Sequence, residues 1–239
     1  MNIIRLDEVN STNLYAKSNI ASFDDKTIIV AGRQTSGRGR FNRKWVDLGD
    51  GNLFMTIVLK PSNSFSDIYA NITQYLSVVL CKILENYGVL PTIKWPNDVL
   101  VNEKKIAGIL SETVMNGGNF RGLVLGIGVN LNSDSKSVKQ IIDKEVTALN
   151  IELNKPVNMD EFLNVLLDRF FENYDEFLSK GFDFIFKDYV ERCSVINKEI
   201  SVQVLSEKKS GKVKSISKNG ELVLEQNNKE LILTMGDIL

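Results

Sequence analysis

Residues 33–45 read Arg-Gln-Thr-Ser-Gly-Arg-Gly-Arg-Phe-Asn-Arg-Lys-Trp. Arg33, Arg38, Arg40, Arg43 and Lys44 give this stretch +5 and no acid, in a chain whose formal net charge is −1. Gly37 and Gly39 alternate with the arginines. Glycine lets backbone amides come close to a ligand, and guanidinium forks match the oxygens of phosphate or carboxylate. Trp45 can stack on a flat ring such as adenine. The physical reading is an anion clamp for a ligand with several phosphates. A solvated basic loop, or an arginine–glycine stretch against RNA, fits the same residues. A P-loop does not, because Gly-x-x-x-x-Gly-Lys-Ser/Thr is absent.

Three further groups of residues bear on the choice. Lys94-Trp95-Pro96-Asn97-Asp98 leaves one strand, and Lys105-Ile106-Ala107-Gly108-Ile109-Leu110 returns as another. Pro96 cannot sit in a plain central strand, so a bulge or bend is expected there, aiming Asn97 and Asp98 into a cleft. Their hard oxygens suit Mg²⁺ or a ribose, and a simple Pro-Asn-Asp turn explains them equally well. Lys105, flanked by apolar residues, is either a snorkelling surface lysine or a cation held against a reacting phosphate. Gly126-Ile127-Gly128-Val129-Asn130 ends a strand, with an amide at its tip that can donate and accept. Ser11-Thr12-Asn13 serves as a helix cap or as a polar wall.

Composition removes whole classes of mechanism. There is no histidine among 239 residues, so serine–histidine triads, histidine bases and histidine metal sites are excluded. The two cysteines, Cys81 and Cys193, make neither a CxxC nor a disulfide framework. The near-neutral charge argues against whole-surface binding to nucleic acid or membrane. The N-terminus lacks a signal-peptide pattern, and no apolar run is long enough to span a bilayer. A cytoplasmic protein is expected.

The elements that must position these residues follow from periodicity. Strands are expected at Ile3–Leu6, Thr27–Ala31 and Asn52–Lys60, the last stopped by Pro61, with a long loop over 32–51. A helix follows over about 67–86, with Ile68, Ile72, Leu76, Val79, Leu80 and Ile83 on one face and Gly88 at its end. Closely spaced strands come next, at 92–95, 99–101, 105–114 and 123–131, with a turn at Asn116-Gly117-Gly118-Asn119. A polar loop over 132–137 and helices over about 138–149 and 159–180 complete the main domain. From Asp160 to Glu191 the net charge is −6, read as a solvated helix face. After Arg192, short alternating runs predict a small β-barrel. The expected architecture is α+β: a mixed or antiparallel sheet flanked by helices over 1–190, then an SH3-like barrel over 191–239.

Taken in order and spacing, the motifs closely resemble those of biotin–protein ligases. The matching pieces are Ser11-Thr12-Asn13, Gln34-Thr35-Ser36-Gly37-Arg38-Gly39-Arg40, Lys94-Trp95-Pro96-Asn97-Asp98, Lys105 to Leu110 and Gly126 to Asn130. The resemblance covers essentially the whole chain. It implies a class II synthetase-like domain that joins biotin to ATP, giving biotinyl-5′-AMP and pyrophosphate. The biotin then passes to one lysine of a biotin carboxyl carrier domain of a carboxylase. By resemblance, Ser11, Thr12, Asn13, Gln34, Gly37, Arg38, Gly39, Arg40, Trp45, Lys105 and Gly108 contact biotin or its adenylate. Arg43, Asn97, Asp98 and Asn130 fall on the ATP side, and Asp98 also on the Mg²⁺ side. Arg40, Lys105 and Asp98 become the candidate catalytic groups. The family loop reads Gly-Arg-Gly-Arg-x-Gly-Arg, and here Asn42 replaces its third glycine. Asparagine tolerates the left-handed backbone better than most residues.

The absence of histidine agrees with such chemistry. A carboxylate nucleophile is already ionised at pH 7, so alignment and charge neutralisation suffice. Only ten residues precede Ser11, which leaves no room for the helix-turn-helix domain of some family members, so no operator binding is expected. A lipoate or octanoate ligase or transferase shares the fold, but nothing here matches that family's glycine-rich signature, and Trp-Pro-Asn-Asp speaks for biotin. An RNA-binding module remains the non-enzymatic alternative. A homodimer is left open.

Overall fold

A run that is apolar but for Thr56 places Leu53–Leu59 at the centre of a sheet, because a strand buried on both faces does not alternate with exposed polar residues. The computed structural model describes residues 2–60, 67–134, 137–138 and 145–239. Seven strands form the main sheet: β1 (Asn2–Val9), β2 (Thr27–Gln34), β3 (Leu53–Leu59), β4 (Pro91–Lys94), β5 (Asp98–Val101), β6 (Lys104–Asn116) and β7 (Asn119–Val129). Their order is β1-β2-β3-β7-β6-β5-β4. Only β1 and β2 run parallel, and the other neighbours are antiparallel, so the sheet is mixed as expected.

Helix α1 (Thr12–Ser18) makes the parallel crossover from β1 to β2 and covers one face of the sheet. There Ala16 and Ile20 pack with Ile29, Val58 and Val124. Helix α2 (Ile72–Asn86) covers the other face, preceded by a 3₁₀ turn (Asp67–Asn71) and followed by Gly88 at φ +85°. Its buried stripe and the helix Met159–Glu172 form the main core with Leu53, Met55, Ile57 and Leu59. Each such Leu or Ile contributes about 1.5–3 kcal/mol relative to exposure. The expected helix over 159–180 is two helices, Met159–Glu172 and Tyr174–Lys180. The acids on them are exposed, consistent with a solvated face.

Other expectations are corrected. The helix over 138–149 falls partly outside the described residues, as does Pro61. Val146 bridges to Lys105 in extended conformation, and helix resumes only at Leu149–Leu153. Backbone pairing to β6 outcompetes the local helical pattern. Of the bulge or bend expected at Pro96, residues 95–97 form the bend, a tight turn between β4 and β5, while a register shift falls later, at Val99/Leu100.

The C-terminal strands are β8 (Glu199–Val204), β9 (Glu207–Ile216), β10 (Leu222–Gln226), β11 (Lys229–Leu233) and β12 (Asp237–Ile238). They form an antiparallel sheet ordered β11-β10-β9-β8-β12. The SH3-like tail is therefore present, but the barrel is not closed. Closure needs β12 to pair with β11, and β12 has only two residues. The carbonyls of Gly236 and Ile238 instead accept from side chains of the main domain, Arg40 and Lys94. The apolar core runs on from β3 and α2 into Val202, Val213 and Leu222, so the tail is packed onto the main sheet. Among the described residues, no helix is long and apolar enough to cross a membrane.

Candidate active site

Strand alternation puts Gly108 on β6 and Gly126 and Gly128 on β7 on the face that α1 covers. Gly108 pairs with Gly128, and Leu110 with Gly126. The three glycines strip that part of the face of side chains, and two large groups lie in the space. A Cβ on Gly126 would come within 2.2 Å of Asn13 Oδ1. A Cβ on Gly108 or Gly128 would come within 2.7 or 2.5 Å of the Trp45 ring. These glycines are a floor, not turn residues.

Around this floor the fold gathers nearly all the expected residues. One cleft is lined by Ser11, Thr12, Asn13, Gln34, Arg38, Gly39, Arg40, Arg43, Lys44, Trp45, Asn97, Asp98, Lys105 and Gly108. The polar wall comes from the start of α1. Ser11 caps the helix by accepting from Leu14 N at 3.5 Å. Thr12 N donates to Gln34 Oε1 at 2.9 Å, tying the helix to the end of β2. Asn13 accepts from Thr56 Oγ1 at 2.7 Å and donates to Leu110 O and Glu112 Oε2 at 3.2 and 3.1 Å. Cap and wall are thus the same residues.

The arginine loop folds into a small hairpin. Trp45 N donates to Gly37 O at 3.0 Å and Gly39 N to Arg43 O at 2.7 Å, with Arg40–Asn42 as a 3₁₀ turn at the tip. Phe41 takes the left-handed backbone, at φ 52° and ψ 40°. Gly37 is buried under Trp45 O and does not line the cleft. Arg40 donates to Asn97 Oδ1 at 3.0 Å and to Gly236 O at 2.7 Å. Burial pushes its pKa down, against the opposing pull of Asp237 and Asp98. Arg43 pairs with Asp237.

Lys105 is neither free nor snorkelling. Its Nζ lies 2.6 Å from Asp98 Oδ1 and 5.2 Å from the centre of the Trp45 ring. Asn97 Nδ2 donates to Ile109 O, fixing the amide that faces Arg40. Asp98, expected to hold a metal, is thus engaged by an ammonium. Among the described residues, no group of three or more His, Cys, Asp or Glu could hold a metal ion. Asn130 stands apart from Asn97 and Asp98. It lines a second, smaller cavity with Val46, Leu48 and Val146, and Lys44, Trp45 and Lys105 line both. Asn130 Nδ2 donates to Thr147 O at 3.0 Å. Trp45 Nε1 is buried without an acceptor among the described residues.

Two acids went unnoticed in the sequence. Glu112 lies beneath the wall, 2.8 Å from Lys17 and 3.8 Å from Arg38. Burial raises its pKa, but hydrogen bonds from Lys17 and Asn13 and the charges of Lys17 and Arg38 outweigh that, and the net shift is downward. It follows Gly108 and Leu110 at period two along β6, on the face of the glycine floor, which is a legible signal. Asp237, at the far end of the chain, carries none.

The site thus presents five cationic side chains and two carboxylates over a glycine floor, beside an uncharged polar wall. It can bind and align anions, and it offers no histidine or thiol for covalent or base catalysis. A model of the biotin/lipoate A/B protein ligase family matches residues 4–130. A biotin–[acetyl-CoA-carboxylase] ligase of Paracoccus denitrificans is 33% identical over 174 residues, 69% of this chain and 70% of that protein. A bifunctional ligase/repressor BirA of Bacillus subtilis is 31% identical over 153 residues, 62% of this chain but 46% of that protein. The chain therefore spans about half the length of that relative. The solved biotin protein ligase from Aquifex aeolicus, in complex with biotin and ATP, is similar with a TM-score of 0.83 and 28% identity. That match covers 100% of this chain and 97% of the other.

Proposed function

The chain belongs to the biotin/lipoate A/B protein ligase family, and from that premise we propose that it activates biotin with ATP and transfers it to a carrier lysine. The observation that carries this reading is the cleft itself. Arg38, Arg40, Arg43, Lys44 and Lys105 surround a glycine floor next to the wall of Ser11, Thr12, Asn13 and Gln34. An uncharged polar wall suits a ureido ring, and a cationic rim suits a triphosphate.

In the first step a biotin carboxylate oxygen bonds to the α-phosphorus of ATP, and the bond to the leaving pyrophosphate breaks. Both reactants are anions, so the barrier lies in bringing them together and in the charge that spreads over the phosphoryl oxygens. Arg40 and Lys105 neutralise the α-phosphate, and Arg38 holds the biotin carboxylate. Arg43, Asn97 and Asp98 take the nucleotide side, with Asn130 reaching it from beyond Trp45. Trp45 lies against the adenine, and its unsatisfied indole N–H supplies a donor. Magnesium enters with the nucleotide as MgATP. One or two carboxylates together with substrate phosphates are a common way to hold it.

In the second step the carrier's lysine amine attacks the acyl carbon of biotinyl-5′-AMP, an amide forms and AMP leaves. The lysine ammonium passes a proton to water before it attacks, and in this reading Asp98 orients the amine. The acceptor is a biotin carboxyl carrier domain of a carboxylase, and the setting is the cytoplasm. Residues 1–190 form the catalytic unit and 191–239 the tail that closes against it.

The test is transfer. Protein, biotin, MgATP and a purified carrier domain should give a biotin mass gain on one carrier lysine. No gain, with carrier and ligands intact, would refute the reading. A thermal-shift comparison separates the lipoate alternative, since a ligand that binds the folded state raises Tm by mass action. Biotin should raise it and lipoate should not.

A further inference from the structure

The last residues of the chain reach back to the cleft. Gly236 O accepts from Arg40 Nη2 at 2.7 Å, Asp237 pairs with Arg43, and Ile238 O accepts from Lys94 Nζ at 3.1 Å. These contacts lie on or beside β12. That strand is itself fixed to β8 through Asp237 opposite Gln203 and Ile238 opposite Val202. Gly236 is packed closely against the tail sheet, where a Cβ would come within 2.4 Å of Val202 Cγ1. The arginine loop, in contrast, holds itself with few internal bonds. Its described backbone hydrogen bonds are Gly39 N to Arg43 O, Arg43 N to Arg40 O and Trp45 N to Gly37 O. A glycine-containing hairpin so lightly tied needs outside support to stay over the cleft.

We propose that β12 is a latch for the arginine loop and that Asp237 is its positioning residue. Acting through Arg43, Asp237 holds residues 39–45 over the cleft and sets how long an adenylate stays inside. The proposal rests on reading the cleft as an adenylate site. Asp237 touches no reacting atom; it acts only by fixing Arg43, on the nucleotide side of the cleft. The effect is modest in size, because Arg43 and Asp237 side chains are 44% and 20% exposed and partly solvated ion pairs are weak.

The test is amide hydrogen exchange at Gly39, Arg43 and Trp45, in the native chain and in Asp237→Asn, Asp237→Glu, Arg43→Gln and the Asn/Gln double variant. Exchange at these amides should be about two- to fivefold faster in Asp237→Asn, with Asp237→Glu closer to native. Val213 and Leu239, whose amides are bonded within the tail, should exchange as in the native chain. The double variant should be no faster than either single one, because both remove the same pair. Biotinyl-5′-AMP should dissociate faster from Asp237→Asn by a similar factor. Native exchange at the loop amides in Asp237→Asn, or additive effects in the double variant, would overturn the latch. If Asp237→Asn loosens Val213 as well, Arg43→Gln decides alone, and native loop exchange there overturns it too. Failure of the native chain to make any adenylate would instead remove the reading of the cleft, while the exchange data still decide the latch.

Discussion

The Trp45 indole lies on the bare face of Gly128, so close that a methyl group on that glycine would meet the ring at 2.5 Å. Gly108, paired with Gly128 across β6 and β7, extends the same seat. The tryptophan therefore lies on the floor of the cleft, and a nucleotide bound there alters its surroundings. MgATP should change the tryptophan emission, and Trp45→Phe should abolish that change, since Trp95 is buried and bonded to Gly220 O. Unaltered emission at saturating MgATP would contradict this seat.

Gly128→Ala should lift the indole from the sheet. Forcing one carbon into a packed contact costs about 1–3 kcal/mol, and here the ring can yield by leaving. The expected outcome is red-shifted emission with a raised KM for ATP and little loss of Tm. A large Tm loss with unshifted emission would mean that the glycine serves packing alone.

Gly126→Ala acts on the other wall. The new carbon would stand 2.2 Å from Asn13 Oδ1 and must displace an amide bonded to Thr56, Leu110 and Glu112. Weaker biotin binding by calorimetry is expected, with ATP binding little changed. The reverse order of effects would place the biotin elsewhere.

Lys105→Ala and Arg40→Ala should each slow adenylate formation in a single turnover by about 100- to 1,000-fold, the scale for removing one preorganised charge from a phosphoryl-type transition state. Near-native rates in either variant would remove that residue from the chemistry.

Glu112 makes stability depend on pH in a definite direction. Its folded pKa lies below the usual 4.5, so its contribution is fully present above that value. It is lost as pH falls through the lower, folded value, where the unfolded chain binds the proton more readily. Glu112→Gln should therefore flatten the fall of Tm below about pH 5. Superimposable acid limbs in the two proteins would show that Glu112 does not carry this dependence.

What was legible in the chain was what is local. Alternation and helical period gave the mixed sheet and α2, and the motifs around Ser11, Arg38, Asp98 and Lys105 converge on one cleft. What was hidden depends on contacts far apart in sequence. Asp237 lies 194 residues from its partner Arg43. Asn130 was grouped with Asn97, yet Trp45 folds between their two cavities. The helix expected after residue 138 gave way at Val146 to pairing with Lys105, since the bridge satisfies backbone groups beside the site.

The central claim is that this cleft joins a biotin carboxylate to the α-phosphate of ATP without a histidine. The most direct measurement is mass spectrometry of small molecules released from the protein after incubation with biotin and MgATP. The account predicts biotinyl-5′-AMP and pyrophosphate, both absent when either substrate is left out and sharply reduced in Lys105→Ala. Unconsumed biotin and ATP, or an adenylate formed with lipoate and not with biotin, would contradict it.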